Sequence, residues 1–103
     1  MKFIRSKPII ALESFLHGSG KVKDFTSSSG KRYRVLSIEN NTMKFIRLDA
    51  ASTDPWEMDL KGVYRAYSEL EDFSTISFKK FVPRKHSPAR GLLLHLKLLK
   101  PKA

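Results

Sequence analysis

Apolar residues recur at helical spacing near the start of the chain. Ile9, Leu12, Phe15 and Leu16 share one face and Gly18-Ser19-Gly20 follows as a stop, which predicts a short helix over residues 8–17. The period then changes to two. Residues 21–26, 31–39 and 42–50 alternate as three strands, joined by Ser27-Ser28-Ser29-Gly30 and by Asn40-Asn41. Asparagine tolerates positive φ, so the Asn-Asn pair suits a two-residue hairpin turn. After a loop at 51–55, Trp56, Met58 and Leu60 alternate with Glu57 and Asp59 in a short fourth strand. That strand hands over to a helix with Leu60, Val63, Tyr67 and Leu70 on one face and Asp59 as its cap. A further short helix starts at Ser74 or Thr75, uses Ile76, Phe78, Phe81 and Val82, and stops at Pro83. The last helix, over 88–99, carries Leu92, Leu93, Leu96 and Leu99.

The expected fold class is α+β, with an N-terminal helix, a three- to four-stranded antiparallel meander and C-terminal helices packed on one face. The 103 residues read as a single domain, with 100–103 as a basic tail open to disorder, and no internal repeat or second domain stands out. A two-residue turn at Asn40-Asn41 sets Ile38 opposite Met43, Leu36 opposite Phe45, Val35 opposite Ile46, Arg34 opposite Arg47 and Tyr33 opposite Leu48. Extended through the Ser-Gly loop, that register brings Lys23 beside Arg34. Lys23, Arg34 and Arg47 then form a basic row with Phe25 and Arg32 next to it. Val22, Tyr33, Val35, Ile46 and Leu48 make the face expected to pack on the core. Like charges opposite one another destabilise a sheet, so a row with nothing acidic in it calls for an anionic ligand. Basic residues flanked by an aromatic grip a phosphate backbone while a base stacks.

Charge strengthens that expectation. The net charge is +10 and it is segregated: +6 over residues 1–50, −4 over 51–78 and +8 over 79–103, where no acidic residue occurs. Three of those basic residues, together with His86, crowd around a helix-start signal, Pro83-Arg84-Lys85-His86-Ser87-Pro88-Ala89-Arg90. With Ser87 as N-cap and Pro88 as first helical residue, the free amides of the first turn would face an anion held by Arg84, Lys85, Ser87 and Arg90. The Leu-rich body of this helix is unsuited to reading base edges.

Other chemistry is poorly supported. There is no cysteine, which excludes disulfides and thiolate zinc sites and fits a cytoplasmic setting. The basic and apolar start resembles a secretory signal, but Glu13 interrupts it and no small-x-small cleavage site follows. No stretch approaches the roughly 18 apolar residues of a membrane span. Gly18-Ser19-Gly20-Lys21 lacks the spacing of a phosphate loop, and His17, His86 and His95 lack metal-ligand spacing. No cofactor, metal or catalytic residue is expected. The function expected is phosphate-directed, non-catalytic binding of nucleic acid, DNA or RNA, through Lys23, Phe25, Arg32, Arg34 and Arg47 on the sheet and Arg84, Lys85, Ser87 and Arg90 at the helix start. Two alternatives stay open: a small toxin-like ribonuclease using His86 or His17, and an adaptor docking on an acidic protein surface.

Overall fold

The alternation in the middle of the chain closes into a four-stranded antiparallel sheet, and a computed structural model describes residues 3–27, 29–49 and 54–101. In chain order the elements are β1 (Phe3–Arg5), α1 (Leu12–Ser19), β2 (Asp24–Thr26), β3 (Arg32–Glu39), β4 (Thr42–Arg47), β5 (Trp56–Asp59), α2 (Leu60–Glu69), α3 (Thr75–Lys79), α4 (His86–His95) and β6 (Leu99–Pro101). The sheet runs β2-β3-β4-β5, and a separate two-stranded sheet pairs β1 with β6. This is the α+β class expected from the pattern. Position 50 of the predicted third strand and the loop residues 51–53 lie outside the described residues, as do 102 and 103 of the tail. No helix among the described residues is long and apolar enough to cross a membrane.

Local chemistry explains most boundaries. Asn40 and Asn41 both adopt positive φ, 51° and 61°, as a primed two-residue hairpin turn requires. Asp59 accepts from the Lys61 amide and caps α2, and Ser74 accepts from the Ser77 amide and caps α3. The first helix begins four residues later than its apolar spacing suggests. The Ile10 amide donates to the Tyr67 hydroxyl at 3.0 Å and the Ile10 carbonyl accepts from the Tyr64 hydroxyl at 2.8 Å, so α2 holds this segment out of the helix.

The register departs from the simple hairpin at one point. Ile38 lies opposite Met43 as expected, but a bulge between Val35 and Ser37 shifts every pair beyond it: Val35 faces Phe45, Arg34 faces Ile46 and Tyr33 faces Arg47. The extra residue lets Tyr33 share a face with Met43 and Phe45. Burying a side chain of that size is worth about 1.5–3 kcal/mol, more than an uninterrupted ladder at one position returns. The core face is therefore Phe25, Tyr33, Met43, Phe45 and Met58, all buried, while Ile46 and Leu48 remain part-exposed. Phe15, Leu60, Val63, Tyr67, Phe78, Leu92 and Leu93 cover that face from the helices.

The last helix is shifted rather than lost. It starts at His86 with Lys85 in the cap position, not at Pro88 with Ser87 as cap. It stops at His95, where Lys97 takes φ +63° and the amides of Lys97 and Leu98 bond back to the carbonyls of Leu94 and Leu93. The chain then turns into β6, whose residues pair with β1. Gly91 makes the docking of this helix possible. A Cβ there would lie 2.4 Å from the Thr26 carbonyl oxygen and 2.5 Å from the Ser27 Cα, so α4 rests directly on the end of β2.

Candidate anion-binding surface

The basic row across the sheet does not form. Asp24, not Lys23, lies opposite Arg34, and its carboxylate accepts from the Arg34 guanidinium at 3.0 Å. That bond holds the Asp24 carboxyl below its usual value and lifts Arg34. Because of the bulge, Arg47 falls on the opposite face from Arg34, where it donates to Asp49 at 3.0 Å and lowers that carboxyl in turn. The cross-strand repulsion that called for a ligand is therefore absent. Phe25 is also corrected, since its ring is buried against Tyr33 and Phe45. Lys23 is exposed just before β2, with its carbonyl accepting from the Val35 amide.

The outer face of the sheet is close to balanced. Its strands present Arg32, Arg34 and Lys44 alongside Asp24, Glu39, Glu57 and Asp59. A hollow of about 280 Å³ opens where Arg32 and Arg34 meet Thr26, Leu48 and His95, and Asp24 stands in it. His95 is the one histidine that the fold brings near the sheet arginines, a proximity no sequence spacing signals.

Positive charge concentrates where α3 turns into α4. The turn is closed by bonds from the Phe81 and Val82 amides to the Phe78 carbonyl and from the Lys85 amide to the Val82 carbonyl. Arg84 sits at φ +66° on its outside, so Lys79, Lys80 and Arg84 stand exposed around it. The Lys85 ammonium lies 5.2 Å from the centre of the Trp56 ring, a cation on an aromatic face. Ser87 faces Ser29 across 3.3 Å instead of capping the helix, which fastens the start of α4 to the β2–β3 loop. Lys31 lies on that loop, whose Ser27 hydroxyl accepts from the Lys31 and Ser29 amides.

Two of the expected groups thus meet after all, through aromatic contact. Trp56, under Lys85, is 5.9 Å from Tyr33, and Tyr33 pairs with Arg47 across the strands. Burial raises the Tyr33 phenol above its usual value, against the opposing pull of Arg47 and Ser27 and with Asp49 adding to the rise. Lys85 and Arg47 thus sit at the two ends of the Trp56–Tyr33 ring pair, the rim beside the α3–α4 turn. Arg90 is not part of it. Its guanidinium turns inward, donating to the Phe73 carbonyl at 3.2 Å and lying 5.3 Å from the Phe3 ring centre, and burial lowers its pKa. His86 is part-buried with no hydrogen-bond partner at Nδ1. Burial, then the charges of Lys79 and Arg90, depress its pKa, which favours the neutral imidazole. No group of three potential metal ligands occurs among the described residues. Compared with known proteins, the chain matches no family model, no curated protein and no solved structure.

Proposed function

We propose that this chain is a nucleic-acid-binding protein that holds phosphates without chemical turnover, and that it does so with the α3–α4 turn and the adjoining rim rather than with the open face of the sheet. One observation carries the reading. The outer sheet face is nearly neutral, so the net charge of +10 is displaced onto the helix side and the loops, where residues 79–101 contain no acid. Lys79, Lys80 and Arg84 are exposed there, next to Lys85 and the first turn of a ten-residue helix. Exposed cations in a stretch without acidic residues lower their free energy by displacing counterions from a polyanion. His86 Nδ1 makes no hydrogen bond, so no second group orients this imidazole through that nitrogen as in a relayed acid–base pair.

Fluorescence anisotropy with a labelled 20-base-pair duplex tests the reading. Four phosphate contacts give a slope of about −3.6 in log affinity against log salt, so binding weakens about 100-fold between roughly 50 and 200 mM salt. Replacing Lys79 and Arg84 together by glutamine should weaken binding at low salt and reduce the slope by about two. Absence of binding at low salt, or binding indifferent to salt, overturns the proposal.

A further inference from the structure

We infer that the nucleic acid taken by this surface is a duplex, gripped along its phosphates with no base drawn out to stack; the inference rests on the binding function proposed above. Proteins that hold single strands combine basic grooves with aromatic rings on which successive bases lie. This chain has eleven aromatic residues, and each is either buried or part-buried with a neighbouring side chain on its ring. Eight are buried: Phe3, Phe15, Phe25, Phe45, Phe73, Phe78, Tyr33 and Tyr67. The other three are occupied. Lys85 lies over Trp56, Arg65 lies 5.2 Å from the centre of Phe81, and Tyr64 donates to the Ile10 carbonyl while its ring packs on Phe15 and Tyr67. Among the described residues, the large apolar side chains left exposed are Ile9, Leu36 and Ile76, aliphatic and far apart in the chain.

The rest of the surface excludes the same mode. The strands of the open sheet face, where a single strand would lay its bases, offer four carboxylates and no aromatic side chain of their own, and the one ring at its edge, the His95 imidazole, stands in the hollow that Asp24 also lines. Base reading in a groove is equally closed. Ala89, Leu92 and Leu93 of α4 are in the core and Gly91 is against the β2 backbone, so only the two ends of this helix, His86 and Ser87 at one and His95 at the other, reach outward, and no continuous helix face is left to enter a groove. What remains is a set of exposed cations around a turn closed by backbone hydrogen bonds. Such a set matches a stiff polymer of high charge density, which a duplex provides with one charge per roughly 1.7 Å of axis, better than a flexible strand. The densely charged double-stranded phosphate backbone, which DNA and RNA duplexes both carry, is the recognised chemistry.

The test compares the full chain on four 20-nucleotide probes of one mixed sequence: a DNA duplex, an RNA duplex and the corresponding single strands, at low salt. At least one duplex should bind about tenfold or more tightly than either single strand, and whichever duplex leads assigns the source. A 2-aminopurine placed in the single strands should keep its emission, since nothing stacks on it. Single strands that bind as tightly as both duplexes, or clear quenching of 2-aminopurine, overturn the inference while leaving nucleic-acid binding intact. No binding to any of the four removes the binding function itself. Replacing Arg32 and Lys44 by glutamine supplies a second reading of the same question. Duplex affinity should fall less than with the Lys79 and Arg84 replacements, and the reverse order would put the polymer on the sheet and overturn the inference.

Discussion

Arg84 and Arg90 lie six positions apart in a run that reads as one cluster, yet they have opposite employment. Arg84 is exposed, on the outside of a turn, whereas Arg90 donates to the Phe73 carbonyl and covers Phe3 with its guanidinium and stem. Arg90→Ala leaves a buried carbonyl short of a charged donor and uncovers a ring, so it should cost about 1–3 kcal/mol. Thermal unfolding checks this, with a fall of several degrees for Arg90→Ala and almost none for Arg84→Ala. Nucleic-acid affinity should respond the other way round. If Arg90→Ala melts like the wild type, the inward contacts contribute nothing and Arg90 returns to the binding surface. The same distinction explains what the sequence showed at this scale. It made the charges visible but not their partners: Asp24 stands one position from Lys23, and a register error of one residue exchanges a carboxylate for an ammonium opposite Arg34.

Elements were legible where a local signal fixes them. Asn40 and Asn41, Asp59 and Ser74 each impose a turn or a cap through their own backbone geometry or side chain, and all four act as their residue types require. Legibility failed where a distant contact decides. The bulge at Leu36 is set by the gain from bringing Tyr33 and Phe45 into one cluster, and the late start of α1 by two tyrosine hydroxyls more than fifty residues away. The end of α4 failed for a third reason. Its left-handed terminating position is occupied by Lys97, not by the glycine that normally marks it, so the leucine pattern reads on through the stop. A side chain at φ +63° is strained by Cβ crowding of about 1–2 kcal/mol, and glycine relieves that at a smaller entropic cost to the unfolded chain. Lys97→Gly should therefore raise stability by about 0.5–1 kcal/mol, measured by denaturant midpoint at unchanged slope. The Lys97 carbonyl, which accepts from the Ser6 hydroxyl, is kept in that variant. A loss of stability would mean that the lysine side chain supports the join between α4 and β6.

For the whole molecule, the uneven distribution of charge has a thermodynamic consequence. A chain of 103 residues at +10 repels itself when compact, and the cations of residues 79–101 have no acidic neighbour in sequence to offset them. Added chloride should raise the melting temperature slightly by screening. On the proposed function a duplex should do more, at equal ionic strength, by binding the folded arrangement of Lys79, Arg84 and Lys85 in preference to the unfolded chain. At about 100 times its dissociation constant a ligand adds about 2.7 kcal/mol, which for a domain of this size corresponds to roughly 10 °C or more. Binding to the unfolded chain reduces that figure, since any basic polymer attracts nucleic acid. The comparison that isolates the folded surface is the Lys79→Gln, Arg84→Gln protein. It should keep the chloride response and lose much of the extra shift, whereas equal shifts in both proteins would show that duplex acts on net charge alone and that the α3–α4 turn is no binding surface.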